Sequence, residues 1–279
     1  MKSKFNIIFN SALLIIYTIV SILLFAACNK EEEANPTPPA PAAVKIAEGY
    51  AKGADVKIEV WANEELFSGY NQLLFALYDS ISGKRITESH IRLNPVMHMK
   101  KKSHSCPKED PDKTAVNELF TGFIFFTMPS NDKENWTLEA QVHNLANHKF
   151  GTAVFDIKVA ETVVPRKRVI RKDGAVYWLG YYFPEKMKAG VNTFEIVAFT
   201  KSKDNLSFLP AEKLTMKFSP EMPAMEHGSP GNENPSHSKG GRYRGKVNFT
   251  MTGDWRLNLD VFDGENTSLG KHFFDVTVK

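Results

Sequence analysis

The stretch "KVNFTMTGDWRLNLDVFD", residues 246–263, decides the fold. Val247, Phe249 and Met251 alternate with Lys246, Asn248 and Thr250, and after Gly253-Asp254 the residues Trp255, Leu257, Leu259 and Val261 alternate with polar partners. A period of two marks strands with one face buried. The Gly-Asp interruption separates two such strands, with Met128 and Met251 expected on the inward register and the tryptophan expected at the centre of a core.

The same pattern occurs earlier in the chain. Setting 103–144 against 226–263 pairs His104 with His227, Pro107 with Pro230, Gly122 with Gly245 and Phe126-Thr127-Met128 with Phe249-Thr250-Met251 at one spacing. After a short insertion, Trp136 meets Trp255, Val142 meets Val261 and Phe155-Asp156 meets Phe274-Asp275. Upstream, "SGYNQLLFALYDS" resembles "AGVNTFEIVAFTKS" and "RLNPVM" resembles "KFSPEM". A repeat of this length implies two structural units, and no stretch keeps a helical period. The expected fold class is all-β, two tandem immunoglobulin-like β-sandwich domains over 44–161 and 162–279, each with around seven short strands. The basic run from Arg166 to Lys172 is expected as a strand between them with one solvated side.

The N-terminus is of a different kind. Phe5 to Ala27 carries no charged residue, follows two lysines and ends in Phe25-Ala26-Ala27-Cys28. Small residues closing an apolar run indicate a signal peptide, here 1–27. The cysteine resembles the bacterial lipobox, in which Cys28 would be acylated, for example with palmitate, after cleavage. A membrane-spanning anchor is the competing reading, since the run is long enough to cross a bilayer. "CNKEEEANPTPPAPAA" (28–43) has too little apolar surface to fold and is expected as an acidic, Pro-rich tether. The expected localisation is the cell envelope, lipid-anchored to a bacterial membrane, either the outer membrane or the cell surface.

Net charge is only +3 and the cations are scattered, which argues against a nucleic-acid partner. With Cys28 acylated, Cys106 has no partner within the chain, leaving it a free thiol, a metal ligand, half of an intermolecular bridge or a small buried residue.

The second repeat carries Met222-Pro223-x-Met225-x-His227, then Gly241-x-Tyr243-x-Gly245-x-Val247-x-Phe249-x-Met251-x-Gly253-x-Trp255-x-Leu257. This string resembles the YtkA-like domain, a bacterial extracytoplasmic β-sandwich related to FixH. The first repeat lacks the Met-Pro-x-Met order and the Gly-x-Trp turn. The resemblance implies a non-enzymatic protein and an association with copper transport or oxidase maturation.

Methionine and cysteine are soft ligands that select Cu(I), and imidazole joins them readily. The candidates for copper are Met222, Met225, His227 and His237 in the second repeat and Met97, Met99, His104 and Cys106 in the first. The second set is preferred on charge: Glu221 and Glu226 flank it, whereas Lys100, Lys101 and Lys102 flank the first and would repel a cation while favouring the Cys106 thiolate. The competing reading makes the methionines core filler, the two histidines partners of loop backbone and 226–242 an exposed mobile loop. His143 and His148, around "NLAN", are read as turn histidines. There is no Gly-x-Ser-x-Gly, His-Glu-x-x-His or phosphate loop, and Cys106 has its only near base two residues away, so an enzyme is not expected. The partners expected are the membrane, through Cys28, and an envelope protein. The alternative function is a tandem scaffold or protein-interaction module without metal.

Overall fold

A computed structural model describes residues 43–203 and 207–279. The expected signal peptide, Cys28 and nearly all of the expected tether therefore lie outside the described residues. The first half contains β1 (Val44–Ala51), β2 (Val56–Ala62), β3 (Gly69–Asp79), β4 (Arg85–Ile86), β5 (Ser89–His98), β6 (Ser103–His104), β7 (Lys108–Glu109), β8 (Phe120–Phe126), β9 (Asn135–Asn144) and β10 (Lys149–Ile157). The second contains β11 (Lys167–Lys172), β12 (Ala175–Tyr182), β13 (Gly190–Lys201), β14 (Phe208–Pro210), β15 (Thr215–Met222), β16 (His227–Gly228), β17 (Glu233–Lys239), β18 (Arg242–Phe249), β19 (Gly253–Phe262) and β20 (Ser268–Val278).

The strand orders of the halves superimpose. One sheet runs β1-β2-β3-β8-β7 with β4 on β3, matched by β11-β12-β13-β18-β17 with β14 on β13. The other runs β10-β9-β5-β6, matched by β20-β19-β15-β16. Each half is a sandwich with its own core, around Phe75, Phe126, Trp136 and Phe155 in the first and Phe194, Phe249, Trp255 and Phe274 in the second. The architecture is all-β, as the alternation requires. The basic segment forms β11, the edge strand of the second half, with Arg171 and Lys172 exposed. Residues 226–242, for which an exposed mobile loop was one alternative, are mostly strand, because β16 returns along β15 and β17 pairs with β18.

A local device recurs at the start of the central strand of each half. Asn71 accepts the Phe67 N–H at 3.0 Å and donates to the carbonyls of Phe67 and Gly69 at 2.8 and 2.9 Å. Asn192 does the same with Lys188 and Gly190 at 3.0, 2.7 and 2.8 Å. The chain turns tightly there, and the glycines supply the positive φ, +144° at Gly69 and +100° at Gly190.

The halves are joined face to face. Tyr70, Phe125, Val197 and Phe199 are buried together, with Phe123, Trp178 and Tyr182 around them. Over this cluster lies Arg242, which donates to Glu195 at 2.6 Å, to Glu109 of the first half at 2.8 Å and to the Tyr70 hydroxyl. Tyr70 donates to Glu109 at 2.6 Å, and Arg244 adds a bond to Glu195 at 2.9 Å. Burial first of all, and Glu109 after it, push the Tyr70 phenol well above its ordinary range, so it stays a donor. Removing one member of a buried ion pair leaves its partner charged without water, at a cost of about 3–5 kcal/mol. Arg242→Ala should therefore lower unfolding stability by about 3 kcal/mol in urea titrations. Arg244→Ala, at an exposed partner of the same carboxylate, should cost under about 1 kcal/mol.

Candidate functional site

At one end of each sandwich the chain brings a methionine, a histidine and a tryptophan into neighbouring strand positions. In the first half Met97 on β5 lies across from His104 on β6 and from Trp136 on β9. In the second, Met222 on β15 lies across from His227 on β16. The aligned histidines thus occupy one topological position, as do the methionines.

Trp136 and Trp255 are buried, and a buried indole N–H needs an acceptor. Each finds the same one: Trp136 donates to the Met128 carbonyl at 3.0 Å and Trp255 to the Met251 carbonyl at 3.1 Å. In the first half this bond holds a second methionine, Met128, beside His104. Both methionines were expected inside the core, but β8 ends at Phe126 and β18 at Phe249, so the alternation stops two residues too early. Met128 is half-buried, packed against the core edge, and Met251 is exposed.

His104 has a defined tautomer. Its Nδ1 lies 3.0 Å from the Ser105 carbonyl oxygen, which can only accept, so Nδ1 carries the proton. In the neutral ring Nε2 is then a lone-pair donor, and it lies 3.1 Å from Met128 Sδ, itself a weak acceptor. Two lone-pair atoms with no proton between them converge at that point. The His104 ring stands edge-on to Trp136, centroids 5.4 Å apart. His227 lies 6.1 Å from Trp255, and its Nδ1 is buried without a hydrogen-bond partner. Met222 is buried and its methyl end reaches over Gly253, where a Cβ would lie 3.1 Å from Cε. The positive φ of Gly253, +124°, and this close approach explain the Gly-x-Trp turn.

The remaining candidates separate. Met99 is half-buried against the first core, one residue beyond exposed His98. Met225 sits in a single 3-10 turn, Pro223–Met225, with 57% of its surface exposed. His237 is not in the Met/His group: it lies on β17, in the other sheet, bonded to the Gly240 carbonyl at 2.6 Å and packed on Tyr243. Cys106 is buried in the first core, and burial pushes its thiol well up, so the lysines do not make it a thiolate. Flanking charge favours the second repeat, whereas the oriented ring with a sulfur in reach lies in the first half. His148 is in the β9–β10 turn, while His143 stacks on Phe150 at 4.0 Å and on His90 at 5.9 Å. Among the described residues no group of three or more His, Cys, Asp or Glu side chains is placed to hold a metal, so a cation at either end would depend on thioether sulfur.

Met128 and Met251 are the residues that alternation misplaced. The signal was available in the aligned Phe-Thr-Met triplets, each followed within a few residues by the tryptophan that needs a carbonyl.

The solved structures to which the chain is similar are distant. A conserved domain protein from Bacillus anthracis is 10% identical, with a TM-score of 0.30 over 85% of this chain and 91% of that one. Invasin, a bacterial integrin-binding protein, is 14% identical, with a TM-score of 0.24 over 80% of this chain. The Yersinia pseudotuberculosis adhesin InvE is 14% identical, with a TM-score of 0.26 over 83% of this chain. The chain spans 39% of invasin and 62% of InvE. No curated protein sequence matches. A family model does: residues 181–260, from β12 to β19 and including Met222, His227, Met251 and Trp255, match the family described as YtkA-like, and the match covers less than a third of the chain.

Proposed function

We propose that the protein is a non-enzymatic lipoprotein of the bacterial envelope that carries Cu(I) on the Met/His ends of two sandwiches, the first half being a second copy of the YtkA-like domain. A YtkA-like domain on a β-sandwich scaffold fits a non-enzymatic envelope protein. The observation that carries the metal reading is the pair His104 Nε2 and Met128 Sδ, 3.1 Å apart with the ring's other nitrogen held by a carbonyl. Ligating imidazoles are ordinarily oriented in this way, and thioether sulfur selects Cu(I) over harder ions. Copper transport or oxidase maturation is the setting, and the FixH relationship belongs to the same proposal. Acylation of Cys28 would tether the sandwiches to the membrane, where an envelope protein would receive the cation.

A scaffold without metal is the second reading. The exposed stack of Phe150, His143 and His90 across three strands favours it, since such a face suits a protein partner.

Titration of the full-length chain in detergent against a calibrated Cu(I) chelator should show two equivalents taken up, with Zn(II) not competing. Met222→Ala with His227→Ala should remove one equivalent, and His104→Gln with Met128→Leu the other. Uptake no greater than with Zn(II) would leave the scaffold reading. Metabolic labelling with palmitate should mark the wild-type chain and not Cys28→Ala; equal labelling of both would remove the lipid anchor from the proposal.

A further inference from the structure

The second sandwich leaves open a strand edge that the first one closes, and we propose that this edge, β20, pairs antiparallel with β20 of a second copy of the chain, making one continuous sheet through two molecules. In each half the last strand ends its sheet, β10 in the first and β20 in the second. The edge of β10 is covered. Lys52, just past the end of β1, bridges to Thr152, and a Cβ at Gly151 would collide with the Lys52 carbonyl oxygen and lie 2.6 Å from the Ala54 nitrogen. At the repeat spacing that aligns Phe155 with Phe274, Gly151 corresponds to Gly270. A Cβ there would meet nothing nearer than the His272 ring at 3.5 Å, and among the described residues no strand or bridge pairs with β20 on the side away from β19. Along such an edge the N–H and C=O groups that face outwards are a template for another strand.

The side chains select a second copy as the occupant. β20 runs from Ser268 to Val278, so Phe273 is its midpoint, and its pairing with β19 is regular from Gly270 onward. Lys271, Phe273 and Asp275 alternate onto its outer face, while Phe274, Val276 and Val278 are buried in the core. Two antiparallel copies in full overlap put Phe273 on the two-fold axis, and residues equidistant from it stand opposite each other. Lys271 of each copy then faces Asp275 of the other. Among the described residues Lys271 has no ion-pair partner, although Asp260 stands across from it on β19. Asp275 is held by Arg256 at 2.7 Å, and Arg256 lies over the Phe273 ring at 4.0 Å, so the carboxylate and the axial ring are both already positioned. A lysine on an edge ordinarily deters pairing. Here the symmetric register sets opposite charges across the gap, whereas a register centred on Lys271 would set lysine against lysine. The contact also closes on itself: an isologous pair uses β20 of both copies, and the sheet's other edge, β16, is only two residues long.

The test is sedimentation of the full-length chain in detergent over a concentration series. Pairing confined to one strand edge lies at the small end of stable interfaces, so a monomer–dimer equilibrium in about the micromolar range is expected. Lys271→Glu, which sets like charges across the gap twice, should weaken it by at least about tenfold and leave thermal unfolding unchanged. The register is read by cross-linking under mild oxidation, with the wild-type chain as the blank for its own cysteines. Phe273→Cys should form a disulfide with its counterpart, and Lys271→Cys chains should cross-link to Asp275→Cys chains in preference to one another. A chain that stays monomeric at about 100 μM overturns the proposal and leaves the edge to a strand from another protein. A dimer that is insensitive to Lys271→Glu and does not cross-link through Phe273→Cys overturns it as well, by placing the interface elsewhere.

Discussion

The arrangement at the Met/His end of each sandwich depends on the need to satisfy a buried indole. Trp136 and Trp255 sit in the cores of their sandwiches, where an unpaired N–H would cost about 1–3 kcal/mol. The acceptor available to each is the carbonyl of the methionine just past the preceding strand. Once that carbonyl is held in the first half, the Met128 side chain is held with it, next to His104 of the short returning strand. That placement is in this sense a consequence of core packing, and the indole-to-carbonyl bond behind it recurs in both halves despite their divergent loops.

The junction between the halves is built from different material. The aromatic cluster around Tyr70 and Phe199 excludes water, and Arg242 bridges carboxylates from both sandwiches above it. Such a network contributes less to net stability than to uniqueness of docking, since its charges give up hydration to form it. Its role here is to set one geometry between two domains that share a strand order.

The alternation in 246–263 and the aligned triplets were enough to give the all-β class, the two tryptophan-centred cores and the equivalence of His104 with His227. Position along a sandwich was harder to read. His237 is near His227 in sequence but on the opposite sheet, because 229–232 cross from one sheet to the other. Met251 follows the alternation in sequence but not in space, because pairing ends at Phe249. Flanking charge pointed to the second half, whereas ring orientation, which depends on one backbone carbonyl and has no signature in residue type, points to the first. The bridging role of Arg242 was likewise hidden, since its partners Glu109 and Tyr70 lie far away in the chain.

The connection between the halves has a mechanical meaning. Ser68 donates its N–H to Ala160 at 2.8 Å, Phe67 and Gly69 form parallel bridges to Ala160 and Arg166, and Arg166 pairs with Glu64 at 2.6 Å. The connecting segment is thus pinned at both ends to the start of the first half's central strand, with only its middle, around Val163, fully exposed. A load on the connector would therefore be shared by these bridges and by the Arg242 network, so the two halves are held together by more than their covalent link.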